Sequence, residues 1–219
     1  KPFIVTPGGV GYYRVDYGEA GRAKFLNANE AGGQIPLLQL TEGDQLTLLN
    51  DTWALVQGNQ APLQDWIQLA TILAGGDSVP VLQHISGVLS SIDELLIDDP
   101  SRTAFQARAR AMLRPQLARL GWDAPATEPF LNAALRAAVL RLLGAFGDAD
   151  VVNEARARFE KFREDPNSLE GELRSPVFYL VGRTADAETY ARLHDLAKKE
   201  DNFEQKRLFY GAMAAAPAA

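Results

Sequence analysis

Glu128–Phe146 reads EPFLNAALRAAVLRLLGAF. Apolar residues fall at nearly every helical angle along it. Asn132 and Arg136 share one flank, and Arg141 lies nearly opposite. A helix that is apolar almost all round has to be covered on several sides. The two arginines interrupt it, and its apolar run is short for a bilayer. The stretch therefore predicts a central helix of a helical body, with other helices packed around it.

The rest of the chain sets the bounds of that body. A length of 219 residues is ample for a sizeable core. Hydrophobic residues make up 47% and charged residues 23%, the balance of a soluble globular protein. A formal net charge of −6 argues against non-specific nucleic-acid binding, which needs a basic footprint. The chain has no cysteine, so disulfides and thiolate metal sites are excluded and redox chemistry gives no compartment. No signal peptide or membrane span is apparent. The expectation is a soluble protein, with cytoplasm and periplasm both open. The first residue is Lys1 rather than methionine, and the chain reads as a piece of something longer.

Working back toward the start, the first stretch reads as β. Phe3–Val5 is a short apolar run. In GYYRVDY, Gly11–Tyr17, residues Tyr13, Val15 and Tyr17 alternate with Tyr12, Arg14 and Asp16, the pattern of a half-buried strand. Two strands alone are marginal and need a sheet from elsewhere.

From Ala20 onward the reading is helical. Ala20–Asn27 is a short amphipathic piece. Thr41 followed by Asp44 is an approximate capping signal for a helix with Leu46, Leu49, Trp53 and Val56 inward, stopping at Gly58. Pro62 opens the next helix from its first position, with Leu63, Trp66, Ile67 and Leu73 inward. Val79–Ile97 follows the Gly75-Gly76-Asp77 turn, using Val81, Leu82, Ile85, Val88, Leu89, Ile92 and Leu96. Thr103–Leu120 carries Pro115, a candidate kink. Val151–Phe162 packs through Val151, Val152, Ala155, Phe159 and Phe162. Leu173–Gly182, Ala187–Lys199 and Phe203–Ala216 complete the series. Short turns between helices predict hairpins stacked in series, an irregular α-α superhelix of HEAT/armadillo type with a short β segment at the N-terminus. The predicted domains are residues 1–19, the end of a β-domain or linking strands, and 20–219, a superhelical domain. The alanine-rich ending GAMAAAPAA lacks the polar cap a solenoid needs, so this domain is expected to be truncated or its last helix loosely held.

Chemistry is sparse. A zinc-peptidase helix needs histidines at i and i+4 with a glutamate as base. His84 and His194 are isolated. His84, between Leu82 and Ile85, reads as a core or boundary histidine, and His194, beside Asp195 and Lys198, as a surface one. There is no phosphate loop and no nucleophile elbow. The acid pairs Asp93-Glu94, Asp98-Asp99 and Glu164-Asp165 lie at helix ends and turns, where capping accounts for them. One charge cluster has two readings: Arg102, Arg108, Arg110, Arg114 and Arg119. They are solvated flanks answering nearby acids, or a wall that holds a carboxylate or peptide backbone through bidentate contacts. Arg110 and Arg114, one turn apart, are the candidate substrate-binding residues.

Several stretches together carry a resemblance. Gly11–Tyr17, GYYRVDY, resembles the GYYRVNY stretch that opens the C-terminal region of M1-family zinc aminopeptidases. LTLLNDTWALVQG (Leu46–Gly58), LRPQLARLGW (Leu113–Trp122), LRAAVLRLLGAFGDADVVNEARARFEKF (Leu135–Phe162), SPVFYLVGRTADAETYARLHDL and EQKRLFYGAM resemble later segments of that region in order. The chain departs from it at Gln45, near which the family usually has an arginine, and by this resemblance is expected to stop about two-thirds of the way through the family's helical domain. The family's HExxH helix and GAMEN motif are absent. Gly211-Ala212-Met213 continues as Ala214-Ala215 and lacks the glutamate.

The resemblance implies a non-catalytic C-terminal domain that covers the cleft of a zinc aminopeptidase and helps admit and hold peptides. Its implied partners are peptide substrate and the catalytic domain of the same parent chain, with neither nucleic acid nor membrane. It implies zinc in the parent and no cofactor in this chain, and it transfers no catalytic residue. The alternative is a stand-alone helical-repeat binding module or scaffold.

Overall fold

The computed structural model describes residues 4–5, 7–9, 13–26, 37–125 and 128–217. Among them lie ten α-helices and no strand. None of these helices is long and apolar enough to cross a membrane. The chain divides into two compact units, Lys1–Ile97 and Asp98–Ala219.

The first unit holds α1 (Gly18–Leu26), α2 (Glu42–Gln57), α3 (Leu63–Leu73) and α4 (Val79–Leu95). Thr41 caps α2 as its sequence signals, its hydroxyl accepting the Asp44 N–H at 3.2 Å. Pro62 sits one place earlier than expected, as the residue before α3. The α4 stripe is buried from Val81 to Ile92. Trp66 is fully enclosed and faces Trp53 with ring centroids 5.6 Å apart.

Leu63, expected inward on α3, is exposed. Two further expectations fail in this unit, for one reason. The inward face of α2 is Asp44, Gln45, Leu48, Leu49, Asp51, Thr52 and Leu55; of the expected stripe only Leu49 is buried. Tyr13–Tyr17 forms no strand; Phe3, Gly11 and Tyr12 lie outside the described residues. A strand needs a neighbour to take its backbone groups. Here α2 takes them with side chains. The Val15 N–H donates to Asp51 Oδ2 at 3.1 Å, Arg14 donates to Asp51 Oδ1 at 3.2 Å, and the Gly8 N–H donates to Asp44 Oδ1 at 2.7 Å. Asp44 and Asp51 are two helical turns apart and share a face. They strap the N-terminal segment down, which is why acids occupy an inward stripe.

The second unit holds α5 (Arg102–Leu120), α6 (Phe130–Ala145), α7 (Ala149–Glu164), α8 (Gly171–Arg183), α9 (Ala187–Lys199) and α10 (Phe203–Ala214). α6 packs against α5, α7 and α8, as its all-round apolar sequence requires. Its cover is incomplete, for Leu131 stays 58% exposed. α8 has more neighbours: α6, α7, α9 and α10. Its centrality depends on missing side chains. A Cβ on Gly144 of α6 would stand 2.1 Å from Leu180 Cδ2, and one on Gly182 of α8 would stand 2.0 Å from the Ala212 carbonyl oxygen. These glycines let α6 and α10 approach α8 at a distance that alanine would forbid. Phe159 and Phe162 of α7, Phe178 of α8 and Phe209 of α10 fill the space between, with Phe178 stacked on Phe209 at 4.9 Å. Pro115 lies on the exposed side of α5, and the helix runs through it unbroken.

A buried arginine joins α5 to α6. Arg136 pairs with Glu128 and donates Nε to the Gly121 carbonyl and Nη2 to the Leu120 carbonyl, both at 3.1 Å. Those carbonyls end α5 and have no partner within the helix, so a side-chain donor satisfies them. The guanidinium in turn holds the Glu128 carboxyl below its ordinary pKa.

Candidate functional site

The helix register of α5 places Arg110 and Arg114 side by side, and the structure carries both to the corner where α6 ends and α7 begins. Arg110 Nη1 donates to the Phe146 carbonyl at 2.5 Å, closing the C-terminal end of α6. Gly147, with φ of 76°, turns the chain. Asp148 then caps α7, its Oδ1 accepting the Val151 N–H at 3.2 Å. Arg114 grips this cap from outside: Nε to Asp148 Oδ2 at 2.7 Å, Nη2 to Asp148 Oδ1 at 2.8 Å, and Nη2 to Asp150 Oδ2 at 2.8 Å. The Asp148 side chain is completely buried, that of Arg114 is 51% exposed, and that of Asp150 is largely in solvent.

Of the other α5 arginines, Arg119 donates to Gln116 Oε1 at 2.9 and 3.0 Å. Arg102 is also partnered. Arg108 is exposed. The arginine row is thus partly stitched to its surroundings, and Arg110 and Arg114 share one corner. Asp148 was invisible as a hub in the sequence; a Gly-Asp step before a helix announces its capping role and nothing announces its distant arginine.

Two clefts open on the same unit. One, of about 280 Å³, lies between α7, α8 and the start of α9. Arg156 crosses it to the Thr184 carbonyl at 2.9 Å, and Asp186 caps α9 through the Thr189 N–H at 2.8 Å. Those bonds from Thr189 hold the Asp186 carboxyl below the usual range. The other, of about 220 Å³, lies between α6, α8 and α10, with Arg141, Ser175, Tyr179 and Arg207 on its walls. The sequence marks none of these as a group because they come from three helices.

His84 on α4 is half-buried. Its Nε2 is enclosed without a hydrogen-bond partner among the described residues, and burial, aided by nearby Arg14, pushes the imidazole pKa down. His194 is likewise half-buried, on α9. Among the described residues no group of three or more His, Asp or Glu is placed to hold a metal ion. The acid pairs divide. Asp99 accepts the Ser101 N–H at 2.8 Å and Asp165 the Asn167 N–H at 2.9 Å, as turn residues do. Asp93 is instead buried on α4 and partnered there.

Comparison with known proteins adds a family and its members. The family model described as the ERAP1-like C-terminal domain matches residues 3–219. Aminopeptidase M1-A of Oryza sativa subsp. japonica is 27% identical over 94% of this chain and 24% of its own length. Aminopeptidase M1 of Arabidopsis thaliana is 26% identical over the same shares. Aminopeptidase N of Lactococcus lactis subsp. cremoris is 25% identical over 98% of this chain and 25% of its own length. The chain thus spans about a quarter of the length of the curated relatives it matches.

Proposed function

We propose a function from one premise: the chain belongs to the ERAP1-like C-terminal domain family. In this reading it is the non-catalytic helical domain of a zinc aminopeptidase, covering the catalytic cleft and helping admit and hold peptide substrates. The match across residues 3–219, by a chain a quarter as long as its aminopeptidase relatives, carries the reading. The helical fold supports it, because a wall that shapes a cleft needs no reactive group of its own.

The finer parts of the proposal follow. The helix pairs are HEAT- or armadillo-like hairpins of an irregular superhelix whose concave side faces peptide. Residues 1–19 are the join to the preceding part of the parent. Zinc belongs to that parent's catalytic domain. Arg110 and Arg114 meet a peptide carboxylate, which would take the place of exposed Asp150 on Arg114.

Two measurements test this. The chain, purified twice, is expected neither to turn over an aminoacyl-nitroanilide nor to hold stoichiometric zinc. Turnover at the rate of a full aminopeptidase overturns the reading. The codons ahead of Lys1 are expected to encode HExxH and a later glutamate; a start codon directly there favours the stand-alone binding module.

A further inference from the structure

The cleft between α6, α8 and α10 is built from cations that the fold leaves underused. Arg141 enters from α6, and its guanidinium lies over the Tyr179 ring, with Cζ 4.3 Å from the centroid. A guanidinium held over an aromatic face is anchored by that contact without spending its N–H groups on it. The interactions of Arg141 within the described residues are that ring and a bond from Nη1 to Ser175 Oγ at 3.2 Å; no described carboxylate lies within ion-pair distance. Elsewhere in this unit Arg114, Arg136 and Arg158 are committed to carboxylates, and Arg110 and Arg183 to helix-end carbonyls.

Arg207 reaches the same cleft from α10. Its partner is Glu204, one turn away at 3.0 Å, with both side chains about 70% exposed (68% and 71%). Such a pair contributes little and exchanges readily with another anion. Gly211 lines the wall beside it, and a Cβ there would meet nothing within 4 Å, so the space is open. The volume of about 220 Å³ matches roughly seven waters at ~30 Å³ each.

We propose that this cleft binds a small multivalent oxyanion, held between Arg141 and Arg207 with Ser175 as an added donor. The ligand class is a phosphate or polycarboxylate of about citrate size. Guanidinium forks suit both by paired N–H···O bonds. A bound anion bridges α6 to α10 across α8 and so stabilises the second unit by mass action.

The test is titration calorimetry of the 219-residue chain with inorganic pyrophosphate and, separately, with citrate, each at ionic strength held constant with sodium chloride. Saturable one-site binding of either is expected, accompanied by a rise in Tm, and which anion binds tells phosphate from carboxylate recognition. Arg141→Gln and Arg207→Gln each weaken it at least about tenfold. Arg163→Gln on α7, which removes an equal surface charge outside the cleft, leaves it unchanged. Heat indistinguishable from the chloride control overturns the proposal, as does a loss confined to one of the two cleft variants or equal loss in Arg163→Gln. Arg207 is exposed, so its variant tests the site even where Arg141→Gln lowers stability by freeing Tyr179.

Discussion

The two units solve the same packing problem with opposite materials. In the first, an irregular N-terminal segment is fastened to a helix by buried acids: Asp44 and Asp51 accept backbone N–H groups from Gly8 and Val15. In the second, helices meet through absence of side chain at Gly144 and Gly182 and through four interlocked phenylalanines. Polar fastening tolerates an irregular backbone, because each N–H finds its own acceptor. Close apolar contact demands regular helices and tolerates almost no added volume. The prediction is a first unit that yields locally and a second that fails as a whole.

The hardest blow to that contrast is Gly182→Val. The new side chain meets the Ala212 backbone, which cannot step aside as a flexible side chain could. Loss of more than about 4 kcal/mol is expected, leaving the second unit unfolded by near-ultraviolet circular dichroism. A variant that keeps native Tm shows that α8 and α10 do not meet at Gly182 and Ala212.

Asp51→Ala is the counterpart in the first unit. It strips the buried acceptor from the Val15 N–H and Arg14, at a cost of about 2 kcal/mol. Amide exchange at Val15 should rise sharply while α6 and α8 keep their protection. Equal loss of protection in both units would erase the distinction between local and global yielding.

Gly87→Ala sharpens it from the other side. Gly87 lies within α4, exposed, and a Cβ there meets nothing within 4 Å. With no close contact to protect, alanine should stabilise the chain by about 0.5–1 kcal/mol, read from denaturant midpoints. Destabilisation would mean that the exposed side of α4 is in use.

The smallest effect is in pH. Burial, and then Arg14, lower the His84 pKa in the fold. Its contribution is therefore fully present above the unfolded value near 6.5 and is lost as pH falls through the lower folded value. In the second unit Arg158 lowers the Asp123 carboxyl. That contribution is present above the ordinary carboxylate range and lost only as pH falls through the depressed value. Acidification should thus loosen α4 before α7, by amide exchange. His84→Leu should remove the earlier step; persistence of that step assigns it elsewhere.

The sequence made the helices legible because their information is local. The α4 stripe, the Thr41 cap and the start of α9 all follow from residues within a few positions of one another. The misreadings involve partners far along the chain. GYYRVDY alternates as a strand does, yet its acceptor is an aspartate on α2, and an inward acid cannot be told from a solvated one by periodicity. The same limit hides the site. Arg110 and Arg114 can be singled out by spacing, but their pairing with Phe146 and Asp148, 34 to 36 residues away, depends on how α5 lies against α6 and α7. From sequence alone Arg141 is a mere interruption in an apolar helix, since its ring partner comes from α8.

The corner at Asp148 has one more implication. Arg114 is clamped on Asp148, the cap of α7, so an acid that takes the place of Asp150 pulls on an arginine tied to the opening turn of the helix. Occupancy there would register at the Val151 amide, which donates to the same carboxylate. A single backbone resonance would then serve as a built-in reporter of whatever docks at α5.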